Sequence, residues 1–417
     1  MSSPPDTTYY RKGFGLKAEV QGELASDYDG RLVDLLKAHE YTLTVGGVTV
    51  RLAREFGFCY GVERAVEYAY QTRRKFPERR LFLVGEIIHN PHVNARLREM
   101  GVTILAPRPA AELRAGEPGF DFSGIEAADV VILPAFGVTM EDFAALREAG
   151  CILVDTTCGS VLNVWKRVES YARDGFTALI HGKHYHEETR ATASQVLKFP
   201  EGRFLVVRDM GEAREVCEYI EGRGDRAAFL ATFAHAASPG FDPDLHLRKI
   251  GVANQTTMLA SESLAIAEEV GRAIARARGD AARETDFRSF DTICSATQDR
   301  QDAVTELLEE PLDAMVVIGG YNSSNTMSLA ALCSERVPTY HVESAHAIHP
   351  EEGTITFRPA GKHHREETAR GWLPATGAVR VGLTAGASTP NNKIGEAVVR
   401  IFATRGVDVL EGLGAGG

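Results

Sequence analysis

The chain has 417 residues, 44% hydrophobic and 25% charged, a balance that fits an ordered globular protein and excludes a disordered or collagen-like one. Against 46 basic side chains stand 57 acidic ones, giving a net charge of −11, so a nucleic-acid-binding surface is disfavoured and any anionic ligand must be met by local donors. Six cysteines are too few for a disulfide scaffold, which leaves each thiol to chemistry or to ordinary burial.

The first residues, Met1-Ser-Ser-Pro-Pro-Asp6, carry neither the basic region nor the apolar run of a secretory signal. No apolar run approaches the roughly 20 residues that span a bilayer. The expectation is a cytoplasmic protein with reduced thiols and no membrane partner. Residues 1–46 read as a polar N-terminal extension. Strand candidates follow at Val48–Ala53, Leu81–Val84, Val130–Ala135, Ile152–Thr156, Thr177–His181 and Phe204–Val207. Further candidates are Ala227–Ala231, Val252–Gln255, Ser289–Ile293, Ala314–Gly319, Thr339–Val342 and Ala378–Thr384. Between them lie apolar stripes at helical spacing, such as Val62, Ala65, Val66 and Ala69, or Val161, Trp165 and Val168. Strands alternating with amphipathic helices predict α/β units with mostly parallel sheets, and this many strands suit several small sheets better than one. The Gly/Pro-punctuated stretch 344–376 reads as an insertion that carries His346, His349, His363 and His364 at the surface. The last residues, 411–417, read as a frayed tail.

Three cysteines occupy equivalent places. Cys59 opens the helix that follows the strand Val48–Ala53, Cys158 ends Ile-Leu-Val-Asp-Thr-Thr, and Cys294 ends Phe-Asp-Thr-Ile. Each is expected at the carboxyl edge of a strand and the amino end of a helix. Ligands of open α/β sheets bind at that edge, and the helix N-terminus favours the thiolate. Cys151 precedes its strand, while Cys217 and Cys333 fall inside helical patterns and read as buried hydrophobes. Three thiolates without a fourth protein ligand suit an iron–sulfur cluster with one open iron or a catalytic zinc, and the spacing is compatible with both.

Other strand ends carry polar loops. Asn322-Ser323-Ser324-Asn325 and Gly386-Ala-Ser388-Thr-Pro390 each precede a helical pattern, as phosphate cradles do, although Ser and Asn are also ordinary N-caps. His89 follows Leu-Val-Gly-Glu-Ile-Ile, with His92 beyond it. The run His181-Gly-Lys-His184-Tyr-His186-Glu187-Glu188 reads as a zinc site, a phosphate clamp or a solvated loop. Ala253-Asn254-Gln255-Thr256-Thr257 is a further strand end rich in hydroxyls.

These motifs together resemble one family. Phe56-Gly-Phe-Cys59-Tyr-Gly-Val-Glu-Arg-Ala, Glu86-Ile-Ile-His-Asn, Asp155-Thr-Thr-Cys158 and His186-Glu-Glu188 are similar to motifs of the IspH/LytB family of 4-hydroxy-3-methylbut-2-enyl diphosphate reductases. So are Asn254-Gln-Thr-Thr, Asp291-Thr-Ile-Cys294-Ser-Ala-Thr, Asn322-Ser-Ser-Asn and Thr384-Ala-Gly-Ala-Ser388. The resemblance runs in the same order over about residues 47 to 405. Arg11-Lys-Gly-Phe-Gly and the insertion before Trp372 resemble the longer plant and cyanobacterial branch.

The resemblance implies three small α/β domains arranged around a central 4Fe–4S cluster held by Cys59, Cys158 and Cys294. The division expected is an extension 1–46, domains 47–158, 159–290 and 291–410 (the strand 48–53 being assignable to the third), and a tail 411–417. The implied reaction is reductive dehydroxylation of (E)-4-hydroxy-3-methylbut-2-enyl diphosphate to isopentenyl and dimethylallyl diphosphates, the last step of the non-mevalonate pathway. His89, His186, Ser323, Ser324, Asn325 and Ser388 would hold the diphosphate, Glu188 would deliver protons, and Thr256 would order the substrate hydroxyl or a water. The implied electron donor is a ferredoxin or flavodoxin. Phe136 stands where many bacterial members carry a histidine, which removes one donor from the clamp, and Gly159 stands where a proline commonly follows the second cysteine. A zinc hydrolase built on His181–Glu188 and a non-catalytic iron–sulfur sensor or carrier are the competing readings.

Overall fold

The computed structural model describes residues 8–109, 116–361 and 365–414. The chain opens with β1 (Tyr9–Tyr10), α1 (Lys17–Tyr28), α2 (Arg31–Ala38), β2 (Thr42–Val45), β3 (Val48–Leu52) and α3 (Tyr60–Lys75). It continues through β4 (Leu81–Val84), α4 (Pro91–Glu99), β5 (Val102–Leu105), β6 (Val130–Leu133), α5 (Met140–Ala149), β7 (Ile152–Asp155) and α6 (Gly159–Arg173). Next come β8 (Thr177–His181), α7 (Glu187–Val196), β9 (Phe204–Val207), α8 (Met210–Ile220), α9 (Arg226–Thr232), α10 (Pro243–His246) and β10 (Ile250–Asn254). They are followed by α11 (Ala260–Arg278), α12 (Asp280–Asp286), β11 (Phe287–Ser289), α13 (Ser295–Leu307), β12 (Ala314–Ile318), α14 (Ser324–Ser334) and β13 (Thr339–Val342). The last elements are β14 (Ile348–His349), β15 (Thr354–Phe357), β16 (Glu367–Arg370), β17 (Val379–Ala385), α15 (Asn391–Ala403) and α16 (Val409–Gly414).

Two compact units share these elements. One comprises the described residues of Met1–Phe14, Thr72–Ile87 and Leu97–Cys294; the other comprises Gly15–Gln71, Ile88–Arg96 and the described residues of Ser295–Gly417. The first unit holds two parallel sheets, in the orders β1-β7-β6-β4-β5 and β11-β10-β8-β9. The second holds a sheet of order β13-β12-β17-β3-β2, parallel except for the hairpin β2–β3, and a small antiparallel sheet β14-β15-β16. The α/β class with mostly parallel sheets therefore holds. Central strands are apolar along their length: every residue of β8 and β12 is buried, as parallel strands covered by helices on both faces require. Helices turn one stripe inward. On α6 that stripe is Val161, Val164, Val168, Tyr171 and Ala172.

Several expectations change. Ala227–Ala231 is not a strand but the body of α9, whose N-cap Asp225 accepts from the amide of Ala228. A five-residue apolar run does not distinguish strand from helix, and the cap decides it. The strand expected at Ser289–Ile293 ends at Ser289, so Cys294 follows an irregular segment rather than ending a strand. Val48–Leu52 pairs in parallel with β17, in the same sheet as β12. Residues from the N-terminal extension fold into β1, α1, α2 and β2, with Val20, Tyr28, Val33 and Leu36 buried. The insertion 344–376 forms the antiparallel sheet and buries Ile348, Ile355, Trp372 and Leu373. His346 is exposed and His349 half-buried, whereas His363 and His364 lie outside the described residues. Of the tail, residues up to Gly414 belong to α16 and the rest lie outside the described residues. Among the described residues, no helix is long and apolar enough to cross a membrane.

Candidate functional site

The six cysteines separate by environment. Cys151, Cys217 and Cys333 are buried, and burial pushes their thiols up to about 11, 12 and 12, which makes them poor thiolates. Cys59, Cys158 and Cys294 are half-buried. Cys59 directly precedes α3, Cys158 is the N-cap residue of α6, and Cys294 directly precedes α13. They follow strands of three different sheets, through β3, β7 and β11 respectively. No disulfide joins any of the six. Their chemistry fits a thiolate-ligated metal group: accessible sulfur at helix amino ends, where the dipole favours the anion.

In the first unit, backbone bonds set the cysteine loops. The Cys158 amide donates to the Ala135 carbonyl at 2.9 Å, and the Asp155 carboxylate accepts from the Thr157 amide at 2.9 Å. Asp155 is itself held from the N-terminal strand, by the Tyr9 hydroxyl at 2.5 Å and by Arg11 at 3.4 Å. The Cys294 amide donates to the Thr256 carbonyl at 3.2 Å. The segment before it is tied to β10 through Thr292, whose hydroxyl oxygen accepts from the Asn254 amide at 2.7 Å and donates to the Asn254 carbonyl at 3.1 Å.

Thr256 also meets Glu188. One Glu188 oxygen accepts the Thr256 amide at 2.6 Å and the other the Thr256 hydroxyl at 3.1 Å, in a carboxylate only 2% exposed. His186 caps α7, and its Nδ1 accepts from the Glu188 amide at 3.1 Å. An accepting Nδ1 carries no proton, so the neutral ring bears its proton on Nε2 and is a donor there. The Phe136 ring stands edge-on to His186, with centroids 5.5 Å apart. The expected histidine cluster does not converge. His181 is fully buried, bonds Ser263 at 2.8 Å and is pushed down to about 4 by burial, while His184 is exposed. Gln255 is a residue that sequence reasoning left without a role. Its side-chain oxygen accepts from the Lys183 amide and the Thr189 hydroxyl, both at 3.1 Å, which locks the strand end to α7 beside Thr256.

In the second unit, the loop after β17 gathers the remaining candidates. The Cys59 amide donates to the Ala387 carbonyl at 3.1 Å, and the Ser388 hydroxyl donates to the His89 carbonyl at 3.2 Å. Asn325 Oδ1 accepts from the Ala387 amide at 2.9 Å, which leaves Nδ2 buried with no hydrogen-bond partner among the described residues. Ser323 caps α14 by accepting from the Thr326 amide at 3.3 Å. Glycine is required here by space: a Cβ on Gly386 would stand 1.9 Å from Thr326 Oγ1, and one on Gly320 2.4 Å from the His89 carbonyl oxygen. His89, Ser323, Ser324, Asn325 and Ser388 are all buried, so donors rather than charges line this edge.

The family model described as LytB protein matches residues 50–402. The 4-hydroxy-3-methylbut-2-enyl diphosphate reductase of Gloeobacter violaceus is 48% identical over 410 residues, covering 98% of this chain and 95% of that one. The protein of the same name from Thermosynechococcus vestitus is 47% identical over 400 residues, covering 96% and 95%. Among solved structures, the E-1-hydroxy-2-methyl-but-2-enyl-4-diphosphate reductase from Plasmodium falciparum matches with a TM-score of 0.60 at 19% identity, over 84% of this chain and 86% of that one, which shows a shared fold. On the match over residues 50–402 and the near-full-length identity to these relatives, the chain belongs to the LytB protein family.

Proposed function

We propose that this chain is an oxidoreductase that removes the hydroxyl of (E)-4-hydroxy-3-methylbut-2-enyl diphosphate, the compound named for its relatives. The allylic C–O bond breaks, two electrons and two protons enter, and the products are water and isopentenyl or dimethylallyl diphosphate. Cys59, Cys158 and Cys294 hold a 4Fe–4S cluster, one per chain. When bound, such a cluster supplies the electrons and, at an iron without a protein ligand, a Lewis acid for the hydroxyl. A low-potential carrier of ferredoxin or flavodoxin type replenishes the electrons. Thiolate ligation of this kind persists in a reducing compartment, and we assign the chain to the cytoplasm.

The chain's own residues manage the anion and the proton. His89, Ser323, Ser324, Asn325 and Ser388, with Nε2–H of His186, present donors to the diphosphate, so that the net charge of −11 does not bar an anionic substrate. Asn325 Nδ2 suits that role because its other atom is already committed to the Ala387 amide. Hydroxide leaves poorly unless protonated. Glu188 is the acid, and the Thr256 hydroxyl, able to accept and donate, hands protons to it. Phe136 adds no polar donor, and it orients the His186 ring instead.

The single observation that carries this reading is the bidentate seat of buried Glu188 on Thr256, the residue whose carbonyl accepts the Cys294 amide. Anaerobic purification followed by metal and sulfide analysis tests it. The expected protein is brown, with about four irons per chain. A colourless, zinc-loaded protein with full activity would sink the cluster assignment.

A further inference from the structure

Arg300 is a buried charge for which the reaction above has no role. It lies on α13, the helix that begins directly after Cys294, and is 3% exposed. A guanidinium does not lose its proton in a protein, and buried charges are normally paired. Yet among the described residues no carboxylate pairs with Arg300. Its partners are carbonyl oxygens: Nη1 donates to Ala296 at 2.7 Å, and Nη2 donates to Gly57 at 2.7 Å and to Phe56 at 3.4 Å. Nε is buried with no hydrogen-bond partner among the described residues.

The segment that receives these bonds is the one that presents Cys59. Gly57 takes φ +68°, a conformation open to glycine, and its amide donates to the Ala385 carbonyl at 3.3 Å. The Cys59 amide then donates to Ala387. Phe56–Cys59 is thus pinned on one side by the β17 loop and on the other by a cation. Carbonyl dipoles offset part of that cation's charge; a net anion alongside would offset the rest.

Building on the cluster reading above, we infer that Arg300 is a positioning residue for the iron–sulfur site, fixing the Cys59 segment and supplying the buried positive charge that a thiolate-ligated cluster answers. A nearby positive charge favours the state with the added electron, so Arg300 raises the reduction potential, and its bonds hold the ligand loop closed against metal loss.

The test uses the anaerobically purified holoprotein and two readouts other than turnover: the midpoint potential from an electron-paramagnetic-resonance redox titration, and the rate of iron release to a chelator. Arg300→Met is expected to move the midpoint to a more negative potential and to release iron about 10-fold faster. Arg300→Lys keeps the charge but spans fewer carbonyls, so its midpoint stays near wild type while iron still leaves faster. Should Arg300→Met fail to load iron, Arg300→Gln carries the same comparison. A neutral variant with wild-type midpoint and wild-type iron release overturns the inference. A wild-type protein without a cluster overturns instead the reading on which it rests, and is recognised at the metal analysis.

Discussion

The carboxyl edges of the two units differ in how their polar groups are satisfied. In the first, the Glu188 carboxylate takes up both the amide and the hydroxyl of Thr256, His186 Nδ1 accepts the Glu188 amide, and the Thr256 carbonyl accepts the Cys294 amide. In the second, the loops around Ser388 and Asn325 leave donor capacity unused, most plainly at Asn325 Nδ2. A closed network holds a carboxyl and a hydroxyl in a fixed relation, which suits moving a proton between set positions. A buried donor without a partner costs stability unless a ligand takes it up, which suits holding an anion. On the proposed reading, proton handling falls to the first unit, and the diphosphate donors other than His186 belong to the second.

The largest expected effect falls on Cys59, Cys158 and Cys294. Cys158→Ser, Cys294→Ser or Cys59→Ser should each reduce turnover to background and lower the iron content of the anaerobically purified protein. Any of these variants that keeps full iron and full turnover removes that residue from the ligand set. Next, Glu188→Gln keeps the shape of the closed network but withholds the proton. Turnover should fall about 10²- to 10⁴-fold while the cluster spectrum stays unchanged. Retained turnover there would detach the acid role from the first unit.

On the anion side, Asn325→Asp keeps the acceptor for the Ala387 amide and replaces the unused donor by an acceptor oxygen. The KM for the diphosphate should rise about 10-fold or more with kcat much less affected, the reverse of the Glu188→Gln pattern. Equal losses in both parameters would erase the distinction between the two edges. A smaller effect concerns a feature the units share, a buried neutral histidine: His181 in one and His341 in the other, each pushed down from 6.5 to about 4 by burial. Between those values the unfolded chain binds a proton that the fold excludes. The histidine contribution to stability should therefore be flat above pH 7 and fall as pH drops from about 6.5 toward 4, by about 1 kcal/mol per pH unit for each histidine. Melting temperatures at pH 7.5 and 5, for wild type and His341→Gln, check this; an unchanged slope in the variant would contradict it. The smallest effect is Cys333→Ala, a bystander with a fully buried thiol: iron content should be unchanged and stability lower by about 1 kcal/mol.

The placement of Cys59, Cys158 and Cys294 was legible in the sequence, because a thiol between a strand and a helix start announces its edge whatever the sheet order. The His186–Glu188 and Asn322–Asn325 motifs were legible for the same reason. What the sequence could not reveal depends on direction and on distant partners. His181 and His186 lie close in sequence, but one is the last residue of a buried strand turned onto Ser263 and the other a helix cap. The helices α1 and α2 escaped notice because each buries only two residues, too short a stripe to stand out from a polar stretch. Arg300 reads on paper as one more helical charge, and only its burial against the Gly57 carbonyl sets it apart.

The most direct test of the central claim is an anaerobic assay of the purified protein with (E)-4-hydroxy-3-methylbut-2-enyl diphosphate and a low-potential reductant, with products separated by chromatography. The account predicts reductant-dependent formation of isopentenyl and dimethylallyl diphosphates, lost in Glu188→Gln under the same conditions. Phosphate release or alcohol formation without reductant, and no dehydroxylated diphosphate with it, would contradict the account.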